Sequence, residues 1–542
     1  MKQNKRLVWL DINSSYSHSS LALPAIEACR CGDEYEWSRV SGTINSDLYP
    51  LTRELYETEP DLVAATLWLF NHEVVVAICE RIKVLLPNVQ IILGGPEFNG
   101  DNELFLRRNS FVDFVFRGEG EVEFQRFLRG DDPAYITGLC YLDGATYHDN
   151  GAAKVANFAD IPTPERSEFC NYSSPFVQLE SSRGCFNSCA FCVSGGDRPI
   201  RNRSIEDVKE RIEQTLKHGV KDIRVLDRTF NYSASRAREM LQLFTHYPQM
   251  NFHLEIHPAL LTDELCELLS SMPKGLLHLE AGMQSLDDRV IEACERIGTN
   301  EAALKGLRKL CRMENFETHT DLIAGLPHYT LEQIFSDLRD LSMLSAGEIQ
   351  LELLKLLHGT KMRREAQNLG IKYNPKPPYE VLQTPAISVV ELDRARLLSK
   401  LIDKFYNAKG WQFITRKMIN DSPDFLPNFL DYLTATELLE KPIGLAKCGS
   451  LLFDFAKGWR GGEYLDDISL AWIENGLSHR SEEAGTISKA TTLPDSMIRE
   501  HNVHYYLWQG HKRQFIISFD RSKEHSRPSQ MVELEPLPED IG

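Results

Sequence analysis

Cys185, Cys189 and Cys192 are the residues of this chain whose type and spacing most directly predict chemistry. They lie in the stretch ESSRGCFNSCAFCVS at intervals of four and three residues, just after an apolar run. Such short intervals do not favour mutual disulfides. Three soft thiolate ligands on one short loop instead suit a metal ion or an iron–sulfur cluster.

The fourth ligand that a tetrahedral zinc site needs is missing near this loop. No other cysteine or histidine stands in a matching second pair. A four-iron cluster held by three thiolates leaves one iron open, and an open metal position can bind a substrate or cosubstrate. We therefore favour a cluster with an open iron over a small zinc knuckle or three unrelated buried cysteines.

The composition is that of an ordinary soluble protein, with 42% hydrophobic and 25% charged residues. A chain of 542 residues exceeds what one core usually serves, so we expect about three domains. No apolar run reaches the roughly 18 residues that span a bilayer, and no signal-peptide core follows Met1–Arg6. These features predict a cytoplasmic protein that does not insert into a membrane.

The charge balance of the chain indicates which kinds of partner it can bind. Lysine and arginine number 60 against 78 aspartates and glutamates, which gives a formal net charge of −18. An acidic chain is a poor match for a broad phosphate-binding surface, so we expect no broad nucleic-acid interface. Small molecules, peptides or proteins are the expected partners.

Residues 1 to about 130 alternate strand and helix signals, which predicts a parallel, doubly wound sheet. In such sheets ligands bind beyond the carboxyl ends of the strands. The loops expected there are Asn13–Ser20, Leu67–Phe70, Gly94–Phe98 and Gly118–Gly120. Glycines after strands also serve tight turns, so the pattern alone leaves ligand binding and turn formation equally open. No GxGxxG fingerprint follows the first strand, which disfavours a nicotinamide dinucleotide.

A second β/α series follows a predicted hairpin and linker. Its six predicted strands are Phe176–Ser181, Asp222–Asp227, Asn251–Ile256, Leu276–Ala281, Thr318–Gly325 and Ile349–Leu357. Six repeats predict a parallel sheet curled into a partial β/α barrel, with the chemistry at the carboxyl ends of its strands. The polar residues at those ends are Asp227, Asn231, Glu255, His257, Glu280, Gln284, Ser285 and Asp321. Any one of them could instead orient a loop.

The β/α alternation stops near residue 366. A mostly helical region follows, and a closing hairpin is predicted at His504–Gly510 and Arg513–Asp520 before an extended acidic tail. We therefore predict four segments, namely a Rossmann-like domain at 1–138, a hairpin and linker at 139–174, a barrel at 175–365 and a C-terminal domain at 366–542.

The cysteine loop resembles the signature loop of the radical S-adenosylmethionine (SAM) superfamily, with an aromatic residue directly before the last cysteine. The likeness covers residues 175 to 362, through RGC, RNRS, DRTFN, LEIHP, LEAGMQS, DLIAGLP and LKLLHGT. The first domain is similar to the cobalamin-binding domain of the B12-dependent branch of that superfamily, through LGGPEF and FRGEGE. The C-terminal region resembles an uncharacterised extension found in one subgroup of that branch.

This resemblance implies that Cys185, Cys189 and Cys192 hold a [4Fe–4S] cluster whose open iron binds SAM. Reductive cleavage of SAM then gives a 5′-deoxyadenosyl radical, which takes a hydrogen atom from the substrate. The residues expected near SAM are Asp227, Glu255, Glu280, Gln284, Ser285, Asp321 and Gly325. The residues expected near cobalamin are Asn13, Ser14, His18, Ser19, Leu67, Gly94, Gly95, Pro96, Gly118, Glu119 and Gly120.

The resemblance further implies methyl transfer from cobalamin to an unactivated carbon of a small-molecule or peptide substrate, with flavodoxin or ferredoxin as the electron donor. The DxHxxG motif that supplies a histidine ligand to cobalt is absent from residues 1–165. Two alternatives stay open. One is a different radical reaction, such as rearrangement, cyclisation, oxidation or tRNA methylthiolation; the acidic tail and the positions of Cys29, Cys31 and Cys79 disfavour the last. The other is a non-catalytic iron–sulfur or zinc sensor.

Overall fold

The structure, a computed structural model, describes residues 5–32, 34–477, 484–520 and 527–535. The chain forms two compact units, one made of Met1–Thr330 and Leu353–Leu392 and the other of Leu331–Glu352 and Asp393–Gly542. Within the described ranges, no helix has the length and apolar character that crossing a bilayer requires.

The first unit begins with a seven-stranded sheet. Its strands are β1 (Lys5–Asn13), β2 (Tyr35–Thr43), β3 (Leu62–Thr66), β4 (Gln90–Gly94), β5 (Phe114–Phe116), β6 (Leu139–Asp143) and β7 (Thr146–Asp149). The order is β2-β1-β3-β4-β5-β6-β7, and the first five are parallel. This is a doubly wound order, so the predicted Rossmann-like fold is confirmed. The predicted hairpin forms β6 and β7, and β6 pairs antiparallel with β5, so the hairpin continues the sheet.

Apolar residues on both faces explain why this sheet is buried. Val8 and Leu10 of β1 pack into one core, while Leu7 and Trp9 pack into the core on the opposite face. Continuous apolar runs are typical of parallel strands that helices cover on both sides. The helices of this part are α1 (Ala22–Ala28), α2 (Leu48–Glu57), α3 (His72–Leu85), α4 (Glu103–Arg108) and α5 (Glu123–Leu128).

A second parallel sheet follows in the first unit. Its strands and the short pair beside them are β8 (Phe176–Leu179), β9 (Ser182–Arg183), β10 (Arg201–Asn202), β11 (Asp222–Val225), β12 (Asn251–Ile256), β13 (Leu277–Gln284) and β14 (Glu317–Ala324). Strands β8, β11, β12, β13 and β14 pair in chain order, all parallel. Sequential pairing is the arrangement of a β/α barrel wall, which confirms the predicted partial barrel.

The helices between these strands are α6 (Ile205–Lys217), α7 (Ala234–Phe244), α8 (Asp263–Ser270), α9 (Asp288–Ala293) and α10 (Asn300–Leu310). Side chains alternate along β12, β13 and β14, with one face fully buried and the other half-buried. The buried face is almost entirely apolar. The other face carries His253, Glu255, His278, Glu280, His319 and Asp321. Ordinary barrel interiors are filled with branched apolar residues, so a polar face of this kind indicates a ligand site.

The second unit is mostly helical, as predicted. The helices with all or most residues in it are Leu331–Met343, Val389–Leu401, Lys409–Asp421, Phe425–Ala435, Leu445–Gly458 and Leu465–Glu474. Its strands are Glu348–Leu353, Thr486–Lys489, Val503–Gln509, Gln514–Asp520 and Gln530–Glu533, and the last four form one antiparallel sheet. The predicted closing hairpin is therefore present. The start of the predicted tail forms the last strand, and residues 536–542 of the tail lie outside the described ranges.

Candidate functional site

The cysteine loop leaves the barrel wall directly after β8. The two-residue strands β9 and β10 pair antiparallel, with Arg183 opposite Arg201, and so close the base of the loop. Cys185 and Cys189 are buried, and Cys192 is half-buried. All twelve cysteines of the chain are free thiols.

Backbone hydrogen bonds from later parts of the chain hold the loop in place. Ala190 donates its N–H to the carbonyl oxygen of Cys294 at 2.8 Å, and Ile297 donates its N–H to Asn187 Oδ1 at 2.9 Å. Met362 donates its N–H to the carbonyl oxygen of Ala190 at 2.8 Å. The loop is therefore fixed before any ligand binds.

The sulfur positions suit a cluster better than a single metal ion. Among the described residues, the sets of three ligand atoms lying within 4.8 Å of one another do not include these sulfurs. One zinc ion would need closer sulfurs, since Zn–S bonds of about 2.3 Å place tetrahedral ligands about 3.8 Å apart. Burial raises the pKa of Cys189 to about 11, so a bound metal must stabilise its thiolate. The residues present thus fit a [4Fe–4S] cluster.

Asp227 fixes the strand end from which the loop begins. Its carboxylate accepts hydrogen bonds from the N–H of Ser181 at 2.8 Å, the hydroxyl of Ser181 at 2.5 Å and the N–H of Ser182 at 2.8 Å. Burial raises the pKa of Asp227, while these bonds oppose the rise. Asp227, a predicted SAM contact, thus lies at the base of the loop and accepts hydrogen bonds from the protein's own residues.

A hydrogen-bonded row crosses the polar face of the barrel wall. His253 Nε2 lies 2.9 Å from Glu280 Oε2, and His319 Nε2 lies 3.0 Å from Asp321 Oδ1. The hydrogen bond from His253 lowers the pKa of Glu280 to about 2, and a bond to Asp321 adds to this. Burial raises the pKa of Asp321. The structure brings these two predicted residues together.

Glu255 lies beside this row, since β12 and β13 place it opposite Glu280. Burial raises its pKa to about 7, Glu280 adds to the rise, and Arg228 opposes it. A buried carboxyl group whose pKa is raised to near neutral by burial and a neighbouring carboxylate marks a candidate functional site.

Glu255→Gln is expected to stabilise the ligand-free protein at pH 8 by about 3 kcal/mol and to change little at pH 4.5. The folded state holds a proton on Glu255 up to about pH 7, whereas the unfolded state loses it near 4.5. Stability therefore falls as pH rises through that window, at about 1.4 kcal/mol per pKa unit. Chemical denaturation at both pH values measures the difference. Glu239→Gln, an exposed change on α7, is the control, and equal effects at both pH values would contradict the prediction.

The remaining residues predicted near SAM shape two turns. Gln284 has a φ of 69°, and the Ser285 hydroxyl accepts a hydrogen bond from the N–H of Asp287 at 3.1 Å. Both lie at the carboxyl end of β13. Gly325 has a φ of 93° and packs against Leu354 and other apolar side chains just after β14. The three residues thus lie at strand ends, as predicted.

A cavity of about 590 Å³ opens at the carboxyl ends of β3, β4 and β5. Val193 and Ser194, which directly follow Cys192, line the same cavity. Of the residues predicted near cobalamin, those on its wall are Gly94, Gly95, Pro96, Gly118, Glu119 and Gly120. Those not on its wall are Asn13, Ser14, His18, Ser19 and Leu67.

The loop after β1 folds onto its own neighbours. Asn13 Nδ2 donates to Asp11 Oδ1 at 3.1 Å, and His18 Nδ1 lies 3.0 Å from Ser15 Oγ. Leu67 is fully buried in the core of the first sheet. No histidine stands among the described residues that line the cavity. The structure therefore offers cobalt no histidine ligand from the cavity wall.

The glycines of the cavity divide into two kinds. A Cβ on Gly95 would lie 2.6 Å from the carbonyl oxygen of Leu67, and one on Gly118 would lie 2.2 Å from that of Ala153. Turns and close backbone packing therefore require these two. A Cβ on Gly94 or Gly120 would meet nothing closer than 3.5 Å. Local packing does not require glycine there, so these two leave room for a ligand beside the backbone.

Sequence reasoning missed two arginines near the cysteines. Arg228 lines the cavity and acts electrostatically on both Glu255 and Cys192. Arg296 donates to the carbonyl oxygen of Gly282 at 2.8 Å, and its charge lowers the pKa of Cys189 against the effect of burial. The sequence places several acidic residues and thiols at this end of the barrel, and that grouping indicates that basic residues lie nearby.

Three family models match the chain in order. Residues 44–128 match the B12 binding domain, residues 179–341 match the Radical SAM superfamily, and residues 367–488 match a protein family of unknown function, DUF4080. The first two families imply cobalamin, a [4Fe–4S] cluster and SAM as cofactors.

Two curated methyltransferases are similar to the chain at low identity. The cobalamin-dependent radical SAM methyltransferase TokK of Streptomyces tokunonensis is 25% identical over 59% of this chain and 51% of that protein. The 2-(S-pantetheinyl)-carbapenam-3-carboxylate methyltransferase of Streptantibioticus cattleyicolor is 26% identical over 50% of this chain and 43% of that protein. The chain therefore spans about half the length of these relatives.

The solved structure of the cobalamin-dependent SAM radical enzyme OxsB, with aqua-cobalamin and SAM bound, shares the fold. The TM-score is 0.59 at 15% identity, over 86% of this chain and 78% of that one. The family matches are consistent with the fold and with the cysteine loop. The chain thus carries a B12-binding domain match, a radical SAM domain match and a match to a family of unknown function, in that order along the sequence.

Proposed function

We propose that this protein is a cobalamin-dependent radical SAM methyltransferase acting on an unactivated carbon of a small-molecule or peptide substrate. One observation carries the proposal. A single cavity is lined both by the glycine turns of the B12-binding domain and by Val193 and Ser194 of the cysteine loop. Two cofactors bound to these two walls would face each other across one space.

The chain's own groups suit this chemistry. In the proposal Cys185, Cys189 and Cys192 hold the cluster, and the turns at Gly94–Pro96 and Gly118–Gly120 hold cobalamin. When bound, the cluster supplies the electron that cleaves SAM, and cobalamin supplies the methyl group.

The acidic face of the barrel wall supports SAM binding. Glu255, Glu280 and Asp321 lie together on β12, β13 and β14, and SAM carries a positive sulfonium. The low pKa of Glu280, set first by its bond from His253, keeps at least one negative charge there at neutral pH. This charge would orient the cation, and the surrounding buried strands exclude water from it.

We further propose that flavodoxin or ferredoxin delivers the electron. Twelve free thiols and an oxygen-sensitive cluster suit a reducing compartment, so the cytoplasm is the proposed location.

Anaerobic reconstitution with iron, sulfide and hydroxocobalamin tests the proposal. The protein is expected to retain cluster and cobalamin, and dithionite with SAM is expected to give both 5′-deoxyadenosine and S-adenosylhomocysteine by mass spectrometry. The second product reports methyl transfer from SAM to cobalamin and the first reports radical chemistry. 5′-Deoxyadenosine alone, with no cobalamin retained, would replace the proposal with a different radical reaction. Absence of both products from cluster-loaded protein would overturn the enzyme assignment.

A further inference from the structure

Two carboxylates of the B12-binding domain form ion pairs with arginines at both ends of the cysteine loop. Glu119 and Glu121 lie in the turn after β5, and Arg183 and Arg201 lie in β9 and β10 at the base of the loop. The two arginines are opposite each other in the β9–β10 pair. We call these four residues the clamp.

Arg183 contacts both carboxylates of the first domain. Its Nη2 lies 2.6 Å from Glu121 Oε1 and 2.9 Å from Glu180 Oε2, and its Nη1 lies 3.5 Å from Glu119 Oε2. Burial opposes the charge, but Glu121 and Glu180 raise the pKa of Arg183 above its ordinary range. The arginine therefore stays protonated in the interior.

Arg201 holds the other end of the loop through Glu119. The contact is bidentate, with Arg201 Nη2 at 2.6 Å from Oε1 and Nη1 at 2.8 Å from Oε2. The same Glu119 carboxylate accepts the N–H of Val155 at 2.7 Å. Burial would raise the pKa of Glu119, but its bond to Arg201 and the charge of Arg183 lower it. These hydrogen bonds occupy both carboxylate oxygens. The negative charge of Glu119 is therefore already paired where this residue lines the cavity.

The linker adds an aromatic support between the arginines of this region. The guanidinium carbons of Arg183 and Arg203 lie 4.3 Å and 4.2 Å from the ring centre of Phe158, which is 1% exposed. Cation–π attraction and close packing hold the two guanidinium groups in place over the buried ring.

We propose that the clamp couples the two cofactor sites, so that binding at one changes the affinity of the other. The inference rests on the two cofactors of the proposed function. The turn at Gly118–Gly120 lines the cavity, and Cys185 stands two residues after Arg183. A displacement of either the turn or the loop must therefore move the other or break these ion pairs, one of which is bidentate.

Coupling between two sites is reciprocal in equilibrium binding. Cluster loading is therefore expected to tighten hydroxocobalamin binding about fivefold or more, a usual size for such coupling. The mechanism predicts that removing one carboxylate abolishes the coupling, so that cluster loading no longer changes the affinity for hydroxocobalamin.

Hydroxocobalamin is titrated into the full chain before and after cluster reconstitution under anaerobic conditions. The quenching of Trp9 and Trp68, which line the cavity, reports binding, with equilibrium dialysis as a second readout. The variants are Glu121→Gln and Glu119→Gln. The control is Glu123→Gln, whose carboxylate pairs with Arg126 within the same domain. Iron content and thermal melting verify that each variant folds and loads its cluster.

The proposal holds if the parent and Glu123→Gln show the affinity gain and both clamp variants lose it. It is overturned if the loaded and unloaded parent bind hydroxocobalamin equally, or if Glu121→Gln and Glu119→Gln keep the full gain. Should the parent load its cluster but fail to bind hydroxocobalamin, the proposed methyltransferase function fails, and the clamp fails with it as a coupling device.

Discussion

Cys189→Ser is expected to reduce the iron retained after anaerobic reconstitution from about four atoms per chain to below one, and to abolish 5′-deoxyadenosine formation. Cys189 is the central proposed ligand of a loop that hydrogen bonds with Cys294, Ile297 and Met362 already hold in place. A serine oxygen is a hard ligand and replaces the soft thiolate poorly. Iron analysis and the absorption of the reconstituted protein measure the first effect, and mass spectrometry of SAM products measures the second.

Cys266→Ser is the matched control, because Cys266 is equally buried but lies on α8, away from the loop. It should keep the iron and the product. Iron retention by Cys189→Ser at the level of this control would mean that the loop is not the cluster site.

Asp227→Ala is expected to lower the free energy of unfolding of the ligand-free protein by about 3–5 kcal/mol. The carboxylate accepts three hydrogen bonds from Ser181 and Ser182 in a buried site. Its removal leaves two backbone N–H groups without an acceptor, each at a cost of about 1–3 kcal/mol, and takes the acceptor from the Ser181 hydroxyl. Asp227→Asn should lose less, since its amide oxygen can still accept from the backbone. Chemical denaturation of the ligand-free variants measures both.

Asp222→Ala, an exposed change at the start of β11, the strand that leads to Asp227, serves as the control and should cost little. SAM affinity measured on cluster-loaded protein separates the two roles of Asp227. A normal unfolding free energy with lost SAM binding would mean that Asp227 contacts the ligand, as the sequence predicts, and does not anchor the loop.

The sequence predicted the elements whose signals are local. Strand and helix periodicity identified both parallel sheets, and the spacing of Cys185, Cys189 and Cys192 identified a metal-binding loop. Local signals also placed the polar strand-end residues, because the carboxyl ends of parallel strands meet at one edge. These features depend on residues close together in the chain.

The sequence could not predict which of the candidate side chains form hydrogen bonds with other residues of the protein. Glu119 was expected near cobalamin, yet its oxygens bind Arg201, a partner 82 positions away. His18 was expected to approach the corrin, yet it bonds Ser15 three residues before it. Either outcome depends on tertiary packing that one motif does not encode. The roles of these residues toward the cofactors stay predictions.

The hairpin of β6 and β7 decides what the sheet presents to other molecules. Without it, the three-residue β5 would be an open edge with unpaired N–H and C=O groups next to the cavity. Pairing with β6 makes β5 an internal strand, and the new edge, β7, carries His148 and Asp149. A peptide therefore cannot pair with β5 as an extra strand beside the cavity.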